Sequence, residues 1–133
     1  MPVERFGVSL EKDLLKDLDG FVKENKFPNR SQAIRFLIEK NIVEKKWLCN
    51  NEVAGAIVLV YDHHKRDISN LSNSLQHGHH DLILSSQHVH LDHKNCLETI
   101  AVKGKAKELT ELADKLIGLK GIKHGKLVMS TAD

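Results

Sequence analysis

Leu82-Ile-Leu-Ser-Ser-Gln-His-Val-His-Leu-Asp-His-Lys-Asn-Cys-Leu-Glu98 is the stretch on which the reading of the chain turns. Side chains alternate faces along a strand, so His88 and His90 project on the same side, about 7 Å apart along the rise. The segment from Leu91 to Asn95, with Asp92 and Asn95, suits a hairpin loop. Cys96 then opens a returning strand whose first side chains lie near the two histidines. Two imidazoles and a thiolate therefore converge. With Gln76-His77-Gly78-His79-His80 upstream, the segment from Gln76 to Glu98 holds most of the chain's 9 histidines and one of its 2 cysteines.

Borderline nitrogen and soft sulfur donors point to a late transition metal and away from Ca²⁺ or Mg²⁺, which take oxygen ligands. A planar set of three nitrogens and one sulfur would favour Ni(II) or Cu(II), and a tetrahedral one Zn(II). Spacing alone leaves the metal open. The competing reading, surface histidines beside a half-buried cysteine, holds for most single His-x-His pairs. The correctly spaced Cys96 turns the balance toward metal.

Composition narrows the class. At 133 residues the chain fits one ordinary domain or two small ones, and a net charge of +2 permits a nucleic-acid partner without requiring one. No apolar run approaches the roughly eighteen residues of a membrane span, and Met-Pro-Val-Glu-Arg-Phe is no signal peptide, so a cytoplasmic protein is expected. In a reducing compartment two distant cysteines stay unpaired, which leaves Cys96 as a ligand and Cys49 as a bystander. No phosphate-binding glycine loop or dinucleotide fingerprint is present, and no catalysis is expected.

Residues 3–10 alternate, with Phe6, Val8 and Leu10 on one face and Arg5, Gly7 and Ser9 on the other, which predicts a short strand. Such a strand followed at once by helices has no partner in its own domain, so an intermolecular two-stranded ribbon is expected. Ser9 is the expected cap of a helix whose core stripe is Leu14, Leu15, Leu18, Phe21 and Val22. Asn29, with Gln32 three residues on, caps a second helix through Ala33, Ile34, Leu37, Ile38 and Ile42 to about Trp47. Strand-helix-helix is too small to bury a core alone, so a dimer is expected. Asn50-Asn51 marks the boundary between domains 1–50 and 51–133. Beyond it come an apolar strand from Val53 to Tyr61 and a helix capped by Asp62. The His/Cys hairpin follows, then a helix carrying Leu109, Leu112, Ala113, Leu116 and Ile117, and a strand from Ile122 to Met129. The order is βαββαβ, the ferredoxin-like arrangement, in an α+β chain.

Arg5-Phe-Gly-Val-Ser-Leu10, Asn29-Arg-Ser-Gln-Ala-Ile-Arg35, Tyr61-Asp-His-His-Lys-Arg-Asp67, Gln76-His77, His88-Val-His90 and Asn95-Cys-Leu-Glu98 together resemble the nickel-responsive transcription regulators of NikR type. The resemblance covers nearly the whole chain. It implies a ribbon-helix-helix domain followed by an ACT-like domain, in a homotetramer built as a dimer of dimers. It implies one Ni(II) per chain, held by His88, His90 and Cys96 with His77 from another chain, and a palindromic double-stranded operator under Ni(II)-dependent repression. Glu98, on the strand face of Cys96, reads as an acceptor for a ligand imidazole, with Gln76 nearby, or equally as a surface carboxylate.

For DNA, the resemblance places Arg5, Gly7 and Ser9 on the outward ribbon face, where Gly7 offers no side chain. Asn29, Arg30 and Ser31 stand at a helix amino end suited to a phosphate, and Lys65 and Arg66 match a basic pair on the metal-binding domain. Gln32 and Phe36 replace two acidic residues of an interdomain cation site, so that site is not expected as such. His63, His64, His93 and His124 stand as solvent-facing or secondary-metal candidates, whereas His79 and His80 read as surface histidines because Gly78 interrupts the cluster. Rival readings are a zinc hydrolase with an open fourth position, and an ACT-type regulator answering to another metal or to an amino acid.

Overall fold

The computed structural model describes residues 2–64 and 66–133, without the side chains of residues 66–69 and 71. It comprises two compact units, Met1–Asn41 and Ile42–Asp133.

In the second unit, β1 (Glu52–Asp62), α3 (Arg66–Gly78), β2 (Ile83–His90), β3 (Asn95–Lys105), α4 (Ala106–Ile117) and β4 (Ile122–Met129) follow in βαββαβ order. The four strands form one sheet, ordered β2-β3-β1-β4, with every neighbouring pair antiparallel. β1 is central because its run of valines, isoleucine and leucine suits burial on both faces. Its odd residues Val53, Ile57, Leu59 and Tyr61 meet Ile100, Val102 and Cys96 of β3 on the face covered by α4. From α4 that face receives Leu109, Leu112, Ala113 and Leu116, all buried at helical spacing. Each of these leucines contributes roughly 1.5 to 3 kcal/mol of burial, so this layer holds the sheet that carries the hairpin.

The first unit contains α1 (Lys12–Glu24) and most of α2 (Arg30–Leu48). Here several expectations are corrected. Residues 2–10 form no strand, for the reason that made a ribbon expected: one chain offers no edge for them to pair with. Ser9 caps nothing. α1 starts after Glu11, which makes no side-chain cap bond. Its apolar stripe is not core either, since no α1 residue is buried, and Phe6, Val8, Leu10, Leu14, Leu37 and Ile38 are all exposed. An open apolar groove of about 550 Å³ runs among these residues.

The turn after α1 places Lys26 in the left-handed region (φ 58°), with Phe27 N–H donating to the Val22 carbonyl at 3.0 Å and the Phe27 ring 5.5 Å from that of Phe21. Asn29 caps α2 as expected, its Oδ1 accepting from Gln32 N–H at 2.9 Å. Phe36 stacks against Phe21 and Phe27. α2 ends beyond the division of the chain because Val43 and Trp47 pack with the sheet core. Among the described residues, no helix is long and apolar enough to cross a membrane.

Asp62 also departs from its expected role. It is the last residue of β1, and its carboxylate accepts from His64 N–H at 2.9 Å in a turn before α3 begins. The stretch Asn50-Asn51 is more than a break. Asn50 takes φ 55°, and Asn50 and Asn51 donate their N–H groups to the Trp47 and Lys46 carbonyls, which closes α2. Asn50 Oδ1 then accepts from Lys107 N–H at 2.9 Å, capping α4 from a distance. Asn50→Gly should therefore lose the cap alone, while Asn50→Ala adds a left-handed alanine and should cost about 2 kcal/mol. Urea unfolding of both variants checks the order, and equal losses would mean that the backbone angle carries no strain.

Candidate metal centre

The β2–β3 register places His90 opposite Cys96, Val89 opposite Leu97 and His88 opposite Glu98. β1 continues the row, with Tyr61 opposite Cys96 and Leu59 opposite Glu98. Imidazoles, thiol, phenol and carboxylate thus share one sheet face by strand alternation. The hairpin tip is built by Asp92, whose Oδ1 accepts from Lys94 N–H at 2.8 Å and from Asn95 N–H at 2.7 Å.

Glu98 is the centre of the arrangement. It is fully buried. Tyr61 donates its hydroxyl to Oε1 at 2.9 Å, and Gln76 Nε2 and the Ser86 hydroxyl donate to Oε2 at 2.9 and 3.2 Å. His88 Nε2 lies 3.1 Å from the same oxygen. Burial, followed by the charge of Glu98, pushes the Tyr61 phenol far above its ordinary range, so it remains a donor. The Cys96 thiol is also pushed up, first by burial and further by Glu98, against a hydrogen bond with Tyr61 that works the other way.

His63 completes this edge. Its ring packs 4.5 Å from His90 and 4.2 Å from His64, and its buried Nδ1 has no hydrogen-bond partner. Burial, then the neighbouring rings of His64 and His90, holds its pKa below the usual histidine value. Ser86 was not among the residues singled out in the sequence, Tyr61 stood there only within a quoted motif, and His63 stood there as a secondary-metal candidate. Ser86 is in principle visible by its period-two spacing from His88, whereas Tyr61 and His63 depend on the β1–β3 pairing.

His77 lies exposed in the last turn of α3, its ring 6.4 Å from that of His80, while Gln76 beside it turns in to Glu98. The Nδ1 atoms of His79 and His80 lie 2.8 and 3.3 Å from the carbonyls of Leu75 and His77, so these rings serve the helix end. Among the described residues, no three His, Cys, Asp or Glu side chains stand together in an arrangement that could hold a metal. The donor chemistry nevertheless fits a soft-to-borderline cation. A thiol and an imidazole are paired across the hairpin, a second imidazole is oriented by a carboxylate, and one ring nitrogen of His63 has no partner.

The remaining candidates lie elsewhere. Arg5, Gly7 and Ser9 are exposed. Arg30 makes a two-point ion pair with Asp19, 2.8 and 3.0 Å, beside the α2 amino end where Asn29 and Ser31 stand. Lys65 and the Arg66 side chain lie outside the described residues.

The family model described as the NikR C-terminal nickel-binding domain matches residues 54–130. A protein of Geobacter sulfurreducens named as a nickel-responsive regulator is 53% identical over 128 residues, covering 96% of this chain and 92% of its own. One of Pyrococcus furiosus, similarly named, is 50% identical over 132 residues, covering 98% and 96%. Among solved structures, an uncharacterized protein from Thermotoga maritima resembles the chain with a TM-score of 0.53 at 16% identity, over 59% of this chain and 98% of that one, a likeness of fold alone.

The hairpin tip carries a pH prediction. Backbone N–H groups of Asn95 and Lys94 hold the Asp92 carboxyl down at about 2, against an ordinary 3.8. A depressed folded value means that the stabilisation is complete above the unfolded value and is lost as pH falls through the folded one. The Lys94 and Asn95 amides should stay protected down to about pH 4 and lose protection toward pH 2. An NMR titration checks this, and a midpoint at the ordinary value would remove Asp92 from the turn. Asp92→Asn should abolish the transition.

Proposed function

Because the chain belongs to the nickel-responsive regulators, a family of regulators and not of enzymes, we propose that it is a cytoplasmic DNA-binding repressor that acts when Ni(II) is bound. The observation that carries this reading is the buried Glu98, which ties the hairpin histidine His88 to Gln76 of α3 beside the Cys96 thiol. His88, His90 and Cys96 of one chain would hold the metal with His77 of another, one ion per chain. Bound nickel would supply a borderline Lewis acid that takes the place of the thiol proton.

The chain's own residues do the rest. Glu98 accepts at His88 Nε2 and so leaves Nδ1 of that ring to ligate. Gln76 donates to the same carboxylate, so a pull on the hairpin reaches α3 one residue from His77. α3 would then be held in the conformation that fixes Lys65 and Arg66 for phosphate contact. That is a population shift, for which a coupling of about 1 to 3 kcal/mol is ordinary. The apolar groove of the first unit would be filled by a second copy, completing a ribbon-helix-helix dimer. Its paired strands would present Arg5, Gly7 and Ser9 to the major groove, with Asn29, Arg30 and Ser31 toward the backbone. Two such dimers, joined through ACT-like domains in a tetramer, would span a palindromic operator.

Arg5→Ala should leave nickel binding intact and weaken specific DNA binding by about 1 to 3 kcal/mol, more than binding to random DNA. Parallel titrations on both DNAs check this, and equal loss would limit Arg5 to phosphate. The central experiment uses His77→Ala and Cys96→Ala. Each alone should lose nickel-dependent DNA binding while keeping its fold. Mixed with verified subunit exchange, they should regain some intact centres, each taking His77 from one parent and the hairpin ligands from the other. If mixing restores none, His77 is not a ligand supplied across chains.

A further inference from the structure

α2 begins in the Met1–Asn41 unit and ends in the Ile42–Asp133 unit, and its last turn is held by residues that follow β4. The Trp47 indole is buried and donates its Nε1–H to the Ser130 carbonyl at 2.8 Å. Lys46 Nζ donates to the Thr131 hydroxyl at 3.2 Å and pairs with the Asp133 carboxylate, to which Thr131 also donates at 2.6 Å. Ser130 N–H donates to the Ala54 carbonyl at 2.9 Å, which ties the segment to β1. Gly55 makes room for this packing. A Cβ there would stand 2.5 Å from the Val128 carbonyl oxygen and 3.4 Å from the Trp47 ring.

The two halves of this attachment differ in strength. The indole is enclosed, whereas the Asp133 side chain is 78% exposed and that of Lys46 25%. A cavity of about 410 Å³, lined by Lys46, Cys49, Asn50, Glu52, Lys105 and Asp133, flanks the ion pair. Ion pairs in contact with water hold loosely, so the polar half opens first, and its opening loosens the seat of the ring.

We propose that Trp47, Lys46 and the segment Ser130–Asp133 form a releasable clasp whose closure decides whether the last turn of α2 is ordered on the sheet domain. β1 runs from the clasp, at Ala54 and Gly55, to the candidate metal centre, at Tyr61, so a shift of that strand reaches both. As part of the nickel-dependent regulator, a reading on which this use of the clasp rests, it is the joint through which the centre stiffens the helix leading into the first unit. Local opening of one turn, with the core intact, is the kind of low-energy motion such control requires.

Trp47 is the only tryptophan, so its emission reports the clasp directly. In the full chain, Lys46→Ala and Asp133→Ala should red-shift that emission and speed hydrogen exchange of the amides from Val43 to Leu48 several-fold, with exchange in β3 unchanged. Trp47→Phe, which keeps a ring but removes the N–H, should speed the same exchange. Nickel absorption should be unaltered in all three, and the nickel dependence of DNA binding should fall. Unchanged emission and exchange in Lys46→Ala and Asp133→Ala overturn the clasp. Faster exchange with a full nickel response of DNA binding overturns its use as a joint. If the unaltered protein binds DNA without regard to nickel, the regulator reading fails, and the emission and exchange results still decide the clasp.

Discussion

A carboxylate shut away from water must find its hydrogen-bond donors inside the protein, and Glu98 draws them from three other elements. Tyr61 comes from β1, Gln76 from α3, and Ser86 and His88 from β2. Leaving such a charge unpaired costs several kcal/mol, so removal of any one donor weakens the whole group. The same charge raises the cost of ionising Cys96 next to it, on top of the burial of that thiol. Burial and this charge therefore both favour the protonated thiol. One buried anion orients an imidazole, restrains a thiol and fastens a helix to the hairpin.

The two units meet the demand for burial differently. In Ile42–Asp133 the sheet and α4 close a continuous core from Val53 to Leu116, and the hairpin stands on that foundation. Among the described residues of Met1–Asn41 only Ala33 is fully enclosed, while a row of large apolar side chains faces outward. A segment of this size cannot cover its own apolar surface. The same deficit explains why residues 2–10 lack strand pairing: a strand is a relation between two chain segments, and a single copy supplies one.

Asn50 shows how one short turn serves several elements. It ends α2 in the left-handed region, where asparagine is tolerated, and its side chain then satisfies the first turn of α4. Beside it, Lys46 and Trp47 hold the segment after β4. The end of α2 is therefore a point where β1, β4 and α4 are all fastened.

The βαββαβ order from β1 to β4, the α4 stripe, the Asn29 cap and the placing of His88, His90 and Cys96 on one hairpin face were all legible in the sequence. Each follows from a repeat of 2 or about 3.6 residues, or from a cap within one turn, and such patterns are local. Capping rules offered several candidates where the structure used others, so Ser9 capped nothing and Asp62 closed a turn instead of a helix. The set of donors around Glu98, the approach of His63 to His90, the pairing of Arg30 with Asp19 and the capping of α4 by Asn50 were decided only by tertiary structure. All four join positions far apart in the chain, and which ones meet depends on strand register and helix packing settled by the whole core at once. Periodicity tells a side chain which face it occupies, but only the assembled fold tells it what lies opposite.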